Sequence, residues 1–164
     1  MERMDMLLGE IIILCAMLFV LCILGTGTED KNLKNYSSYP DEVQTQIQQI
    51  EVYQGRFKVR GAWATWMANF LLFLLLFLFL GLIIRQSDFG HNFIFLLILG
   101  QTLNIFDLIV IDLLWWRNAK RIRLLEIPQK DLYQNPKKHI EAFLRAAIMF
   151  LLVALIDGYI LTLF

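Results

Sequence analysis

Four long apolar segments make up more than half of this chain. Each has roughly the 20 residues that an α-helix, rising about 1.5 Å per residue, needs to cross a hydrocarbon core of about 30 Å. Lipid offers no water to satisfy backbone polar groups, so such segments fold as helices. The sequence therefore predicts an all-α integral membrane protein, a single domain over 1–164, with four transmembrane helices at about 6–24, 62–84, 92–116 and 140–164.

The basic residues are distributed unevenly around these segments, although the formal net charge is zero. Five of the 15 Lys and Arg residues lie in loop 25–61 and seven in loop 117–139, while only Arg3 and Arg85 lie on the other side. By the positive-inside rule both loops are cytoplasmic and both termini face outward, in a plasma membrane of the bacterial type. The four tryptophans are predicted at the same cytoplasmic interface, which agrees with this orientation. They are Trp63, Trp66, Trp115 and Trp116.

The first apolar segment resembles a signal peptide in length only. Its flank, 1–5, carries Glu2 and Asp5 against a single cation, and no small-residue cleavage site follows. We therefore predict a retained helix. Cys15 and Cys22, seven residues apart on this helix, are too distant to form a disulfide, and we interpret them as packing residues.

The first loop contains an amphipathic pattern that begins at Pro40. Val43, Ile47 and Ile50 recur at helical spacing, and the polar face is mostly glutamine. This predicts a short amphipathic helix in the cytoplasmic loop. Because glutamine is neutral, we favour a helix docked on the bundle or on a partner over one that lies on anionic lipid.

The second loop begins with a basic stretch directly after the tryptophans. Cations beneath an aromatic belt are typical of contact with anionic lipid headgroups, and we predict no nucleic-acid binding. The predicted headgroup contacts are Arg117, Lys120, Arg121 and Arg123.

Polar residues inside the spans are rare and therefore informative. Span two has only Asn69. In span three, Gln101, Asn104 and Asp112 fall within an arc of roughly 80° on an α-helix, with Asp107 at its margin. This arc is predicted to face protein or a wet cavity.

Depth along the spans predicts which groups meet. Asp112 and Arg145 lie at similar depth from the cytoplasmic face, and Glu141 is one turn before Arg145, so the three are predicted to form a cluster. It is either a clamp between helices or a functional site. Asp107 has no cation at its depth and is the strongest candidate for a proton- or cation-handling group, the inert alternative being a protonated Asp bonded to Asn69 or Asn104.

Three further ionisable residues lie within the predicted spans or at their ends. Glu10 and Asp157 form a second, looser pair of acids on the outer half of spans one and four. His139 is predicted to be a solvated interfacial residue, since no third ligand accompanies it and Glu141.

The pattern of residues favours a non-enzymatic protein, because it contains no nucleophile with a base, no metal-ligand set and no nucleotide loop. We predict no catalytic residues, cofactor or metal. The leading hypothesis is an accessory subunit of a transport or envelope complex, or a homo-oligomeric permease lined by the polar face of span three. The alternative is an enzyme that acts on a lipid at the cytoplasmic face through His139, Glu141 and Asp112.

Overall fold

The computed structural model describes residues 2–59 and 61–163, without the side chains of residues 2–4 and 84. The Arg3 side chain and Arg60, two of the cations counted above, lie outside the described residues. So does the last residue of predicted span four, Phe164.

Four helices in this part of the chain are long and apolar enough to cross a membrane, which confirms the predicted number. The long helices are α1 (Glu2–Leu24), α4 (Ala62–Ile84), α5 (Phe89–Phe106), which continues as a π-helix (Asp107–Trp116), and α6 (Lys137–Ile160), followed by a 3-10 turn (Leu161–Leu163). The described residues contain no β-strand, only an isolated bridge between Leu124 and Ile127.

Two of the long helices begin a few residues before the apolar segments predicted as spans, because polar side chains cap them. The Asp88 carboxylate accepts a hydrogen bond from the His91 amide at 2.9 Å, which starts α5 before its apolar run. The Asn135 side chain accepts from the Lys137 amide at 3.1 Å, and Pro136 follows Asn135 at the start of α6.

The loops contain two short helices, α2 (Glu29–Lys34) and α3 (Asp41–Gln49), and several 3-10 turns. Thr28 caps α2 through its hydroxyl. Of the three apolar positions in the amphipathic pattern, Val43 and Ile47 are fully buried in α3, and Ile50, just after the helix, is partly buried.

The chain forms two compact units. Unit 1 comprises Met1–Cys15, Gly61–Ile105 and Phe143–Phe164, and unit 2 comprises Ala16–Arg60 and Phe106–Ala142.

In unit 1 the helices pack closely through small residues and aromatic rings. Gly100 lies against Phe150, and Gly158 lies against the backbone of Phe93. Phe77 stacks on Phe150 with ring centroids 5.6 Å apart. These contacts bring α4, α5 and α6 together.

Unit 2 is built around an apolar core made by the loop segments and the end of the π-helix. We call this the loop core; its buried members are Leu33, Tyr36, Tyr39, Val43, Ile47, Tyr53, Trp116, Ile122, Leu124, Ile127 and Tyr133. Tyrosine hydroxyls satisfy the backbone of the second loop from inside it. Tyr39 donates to the Ile122 carbonyl at 2.6 Å and Tyr133 to the Ile127 carbonyl at 2.8 Å. Burial raises the pKa of the Tyr39 phenol, so it remains a donor.

A glycine is required where the first loop begins. Gly27 has φ +98°, and a Cβ there would lie 2.5 Å from Nη2 of Arg121. That guanidinium donates to the carbonyls of Ile23 and Thr26, at 2.9 and 3.1 Å. Arg121 thereby satisfies carbonyls at the C-terminal end of α1.

Candidate functional site

The second half of predicted span three, Asp107–Trp116, is a π-helix, whereas the sequence predicts an α-helix throughout. A π-helix has hydrogen bonds between residues five apart, and one of them joins the Arg117 amide to the Asp112 carbonyl at 3.3 Å. Residues five apart on an α-helix point about 140° away from each other. In a π-helix they lie on nearly the same face, because the hydrogen bonds join residues five apart. Asp107 and Asp112 are therefore brought to one face.

Asp112 is paired with His139. His139 Nδ1 lies 2.9 Å from Asp112 Oδ1, and the two side chains are only 6% and 15% exposed. The prediction that His139 is a solvated interfacial residue is wrong, since the residue is 5% exposed. The physical reason is that α6 begins at Lys137, which places His139 in its first turn, where Trp116 packs on the imidazole with ring centroids 6.2 Å apart.

Asp107 completes this group. It is half-buried, and its carboxyl interacts electrostatically with both Asp112 and His139. The Cys22 thiol lies close enough to interact with both aspartates. We call Asp107, Asp112 and His139 the acid–imidazole cluster; all three belong to unit 2.

Two nitrogen atoms at this cluster are buried without a hydrogen-bond partner among the described residues. They are Nε2 of His139 and Nε1 of Trp116. A neutral imidazole that donates its Nδ1 proton to a carboxylate keeps a lone pair on Nε2. Nε2 of His139 can therefore accept a proton while Asp112 stabilises the resulting imidazolium.

The other predicted polar residues of span three have structural partners in unit 1. The Gln101 side chain donates to the Ala147 carbonyl at 2.9 Å, and Asn104 donates to the Phe143 carbonyl at 3.2 Å. Both amides thus tie α5 to the backbone of α6, as polar residues commonly do between membrane helices.

The remaining members of the predicted clusters lie in different surroundings. Asn69 is exposed on α4, and Arg145 is exposed on α6, where its backbone carbonyl accepts a hydrogen bond from the Trp66 indole at 3.2 Å. Glu141 is half-buried in the first turns of α6.

The four predicted headgroup cations also differ from one another. Lys120 and Arg121 are exposed, but Arg121 donates to the carbonyls of Ile23 and Thr26 at the end of α1. Arg117 and Arg123 are half-buried, and the Nε atom of each has no hydrogen-bond partner within the described chain.

Unit 1 contains a cavity of about 610 Å³ near the turn between α4 and α5. Its walls are mostly apolar, and Gln86, Asp88, His91 and Asn92 contribute its polar edge. Hydrogen bonds from the His91 amide and imidazole lower the pKa of Asp88. The described residues contain no group of three side chains suited to a metal ion.

The sequence groups His139 with Asp112 only in the enzyme alternative and does not predict its burial or its pairing with Asp112. The signal for this pairing is Asn135 followed by Pro136, which starts a helix before the apolar run at Ile140 and so includes His139 in its first turn.

The four long apolar helices are compatible with a small multi-pass integral membrane protein. Comparison with protein-family models, with curated proteins and with solved structures gives no match.

Proposed function

We propose that this chain is a small, non-enzymatic multi-pass membrane protein whose acid–imidazole cluster binds and releases protons. It acts as an accessory subunit of a transport or envelope complex or as a homo-oligomeric permease. The observation that carries the proposal is the buried Asp112–His139 pair, 2.9 Å apart, in which Nε2 of His139 has no described partner.

Energetics supports a change of protonation at this cluster. Two carboxyl groups and one imidazole share a site with little exposed surface, where an uncompensated charge costs several kcal/mol. One added proton converts a net charge of minus two, with both acids ionised, to minus one. Protonation of His139 turns its hydrogen bond with Asp112 into an ion pair, and a second proton, on Asp107, neutralises the cluster. The cluster can therefore hold zero, one or two added protons, and each proton changes its net charge by one.

The orientation proposed for the chain places this cluster near the cytoplasmic side. Loops 25–61 and 117–139 carry twelve of the 15 Lys and Arg residues, which supports their retention in the cytoplasm of a bacterial-type cell. Lys120 is the best placed of the four cations to contact anionic headgroups, because it is exposed, whereas Arg117 and Arg123 are half-buried and Arg121 binds backbone carbonyls.

The proposed assembly is either a homo-oligomer or a complex with another membrane protein. Many side chains on the long helices remain exposed, including Ile12 at 66%, Leu75 at 67% and Ile148 at 59%. Native mass spectrometry of the protein extracted from its own membrane separates the two forms. A stoichiometric foreign subunit supports the accessory role, and a homo-oligomer supports the permease.

Replacing His139 with Gln is expected to abolish proton-coupled flux by the permease form while the protein remains folded. Glutamine keeps a polar side chain of similar length but cannot take up a proton. The measurement is the acidification of proteoliposomes that contain a pH-sensitive dye, with thermal unfolding as the check on folding. Asp107→Asn is expected to reduce the flux by at least about tenfold, the scale of a lost proton-transfer group.

His91→Gln is the matched control for this experiment. His91 is the other of the two histidines in the chain. Its side chain is 69% exposed, and it pairs with Asp88 in unit 1. The control should retain full flux. Undiminished flux in both His139→Gln and Asp107→Asn would remove the cluster from the mechanism.

One observation favours a second function, an enzyme that acts on a lipid at the cytoplasmic face. A carboxylate that orients an imidazole whose other nitrogen is unoccupied is also the arrangement of a general base. This function predicts that deletion of the protein alters membrane lipid species. Complementation with His139→Gln or Glu141→Gln would then fail to restore them although the protein is present in normal amount.

A further inference from the structure

Asp157 is a buried carboxyl group in unit 1, far along α6 from the acid–imidazole cluster. Its side chain is 0% exposed, and neither carboxyl oxygen has a hydrogen-bond partner among the described residues. Val153 and Ala154, one turn earlier, are equally buried. The next residue, Gly158, lies so close to α5 that a Cβ there would be 3.1 Å from the backbone of Phe93. The surroundings of Asp157 are thus tightly packed and apolar.

An ionised carboxylate in this position would lose its hydration without gaining a donor, at a cost of several kcal/mol. A metal ion would need several oxygen ligands, and the described residues contain no group of three suitable side chains. A proton needs only one oxygen. It is the cation that this site can bind without any further ligand.

We propose that Asp157 is a proton-binding site, held as a neutral carboxylic acid in the folded protein at pH 7, and therefore a target for an apolar carbodiimide. The proposal is independent of the function assigned to the acid–imidazole cluster, because it uses residues of unit 1 only. Leu161, one turn after Asp157, lines the 610 Å³ cavity, which offers an apolar reagent an approach to within one helical turn.

The modification requires the protonated acid. The carboxyl proton moves to one nitrogen of the carbodiimide, and the carboxyl oxygen bonds to its central carbon, which gives an O-acylisourea. The acyl group then migrates to nitrogen. A C–N bond forms at the carboxyl carbon and the bond from that carbon to the transferred oxygen breaks, so the oxygen stays on the former carbodiimide carbon and a stable N-acylurea results. No group is lost and no oxidant or reductant is needed, so the product has the mass of the protein plus one reagent molecule.

The test treats the full-length protein in membranes at pH 7 with dicyclohexylcarbodiimide, followed by peptide mapping by mass spectrometry. One adduct is expected on Asp157, with its complete loss in Asp157→Asn. Asp88→Asn is the matched control, since Asp88 is exposed and its pKa is lowered by its bonds to His91. This variant should keep the Asp157 adduct, and Asp88 itself should not be labelled in the wild type.

Infrared spectroscopy tests the protonation state without requiring access of a reagent. The C=O stretch of a protonated carboxylic acid is expected in the folded protein at pH 7, and Asp157→Asn should lose that component. Identical spectra of the two proteins in this region would overturn the proposal, whatever the labelling result. Labelling of other residues but not of Asp157, combined with a carboxylic C=O band that Asp157→Asn leaves unchanged, would overturn it as well.

Discussion

Replacing Tyr39 with Ala is expected to destabilise unit 2 by about 3–5 kcal/mol, the cost of removing a large aromatic side chain from a packed core. Tyr39 is 0% exposed, packs edge-on against Tyr133 with ring centroids 5.6 Å apart, and also contacts the ring of Trp116. The substitution leaves a cavity and an unpaired carbonyl at Ile122. Hydrogen exchange of the loop residues in mild detergent measures the loss.

Two variants separate the parts of this effect. Tyr39→Phe keeps the ring and removes only the donor to Ile122, so a loss of about 1–3 kcal/mol is expected from the buried unsatisfied carbonyl. Leu125→Ala is the control, because Leu125 is 79% exposed in the same unit, and its effect should stay below about 0.5 kcal/mol. If Tyr39→Ala is no more disruptive than Leu125→Ala, the loop core is not a packed structure.

Gly100→Ala is expected to destabilise unit 1 by about 1–3 kcal/mol through overpacking. A Cβ at this position would lie 2.8 to 2.9 Å from three atoms of Phe150. Phe150 is 3% exposed and is held by Phe73 and Phe77, so its ring has little room to turn away. Thermal unfolding of the purified protein in detergent measures the change.

Gly9→Ala is the matched control for Gly100→Ala. Gly9 also lies in a long helix, but a Cβ there meets nothing within 4 Å. Alanine is a better helix former than glycine by up to about 1 kcal/mol, so this variant should be neutral or slightly stabilising. Equal effects of the two substitutions would contradict the close contact of α5 with Phe150.

The acid–imidazole cluster shows how much of the site was accessible before the fold was known. Asp107 and Asp112 stand out in the sequence because an ionisable residue in an apolar span is costly. The sequence does not predict that the two carboxyl groups lie on one face, since α-helical periodicity separates two residues five apart by about 140°. The π-helix brings them to one face, and the local residue pattern does not predict a π-helix.

Asp157 illustrates a similar division. The sequence shows that it lies in an apolar segment and pairs it with Glu10 by predicted depth alone. Its complete burial depends on Gly158, which allows the backbone of α6 to approach Phe93. That contact joins residues 65 positions apart in the chain and requires both helices to be in place.

The four long apolar helices follow from residue composition, because a run of about 20 apolar side chains that crosses lipid can satisfy its backbone only as a helix. Each helix is a local structure, closed by hydrogen bonds between near neighbours, and can therefore be read from a short stretch of chain. The pairing of His139 with Asp112 and the assembly of the loop core from two separate segments are non-local. They depend on which segments meet in space, and only the tertiary packing of the whole chain decides that.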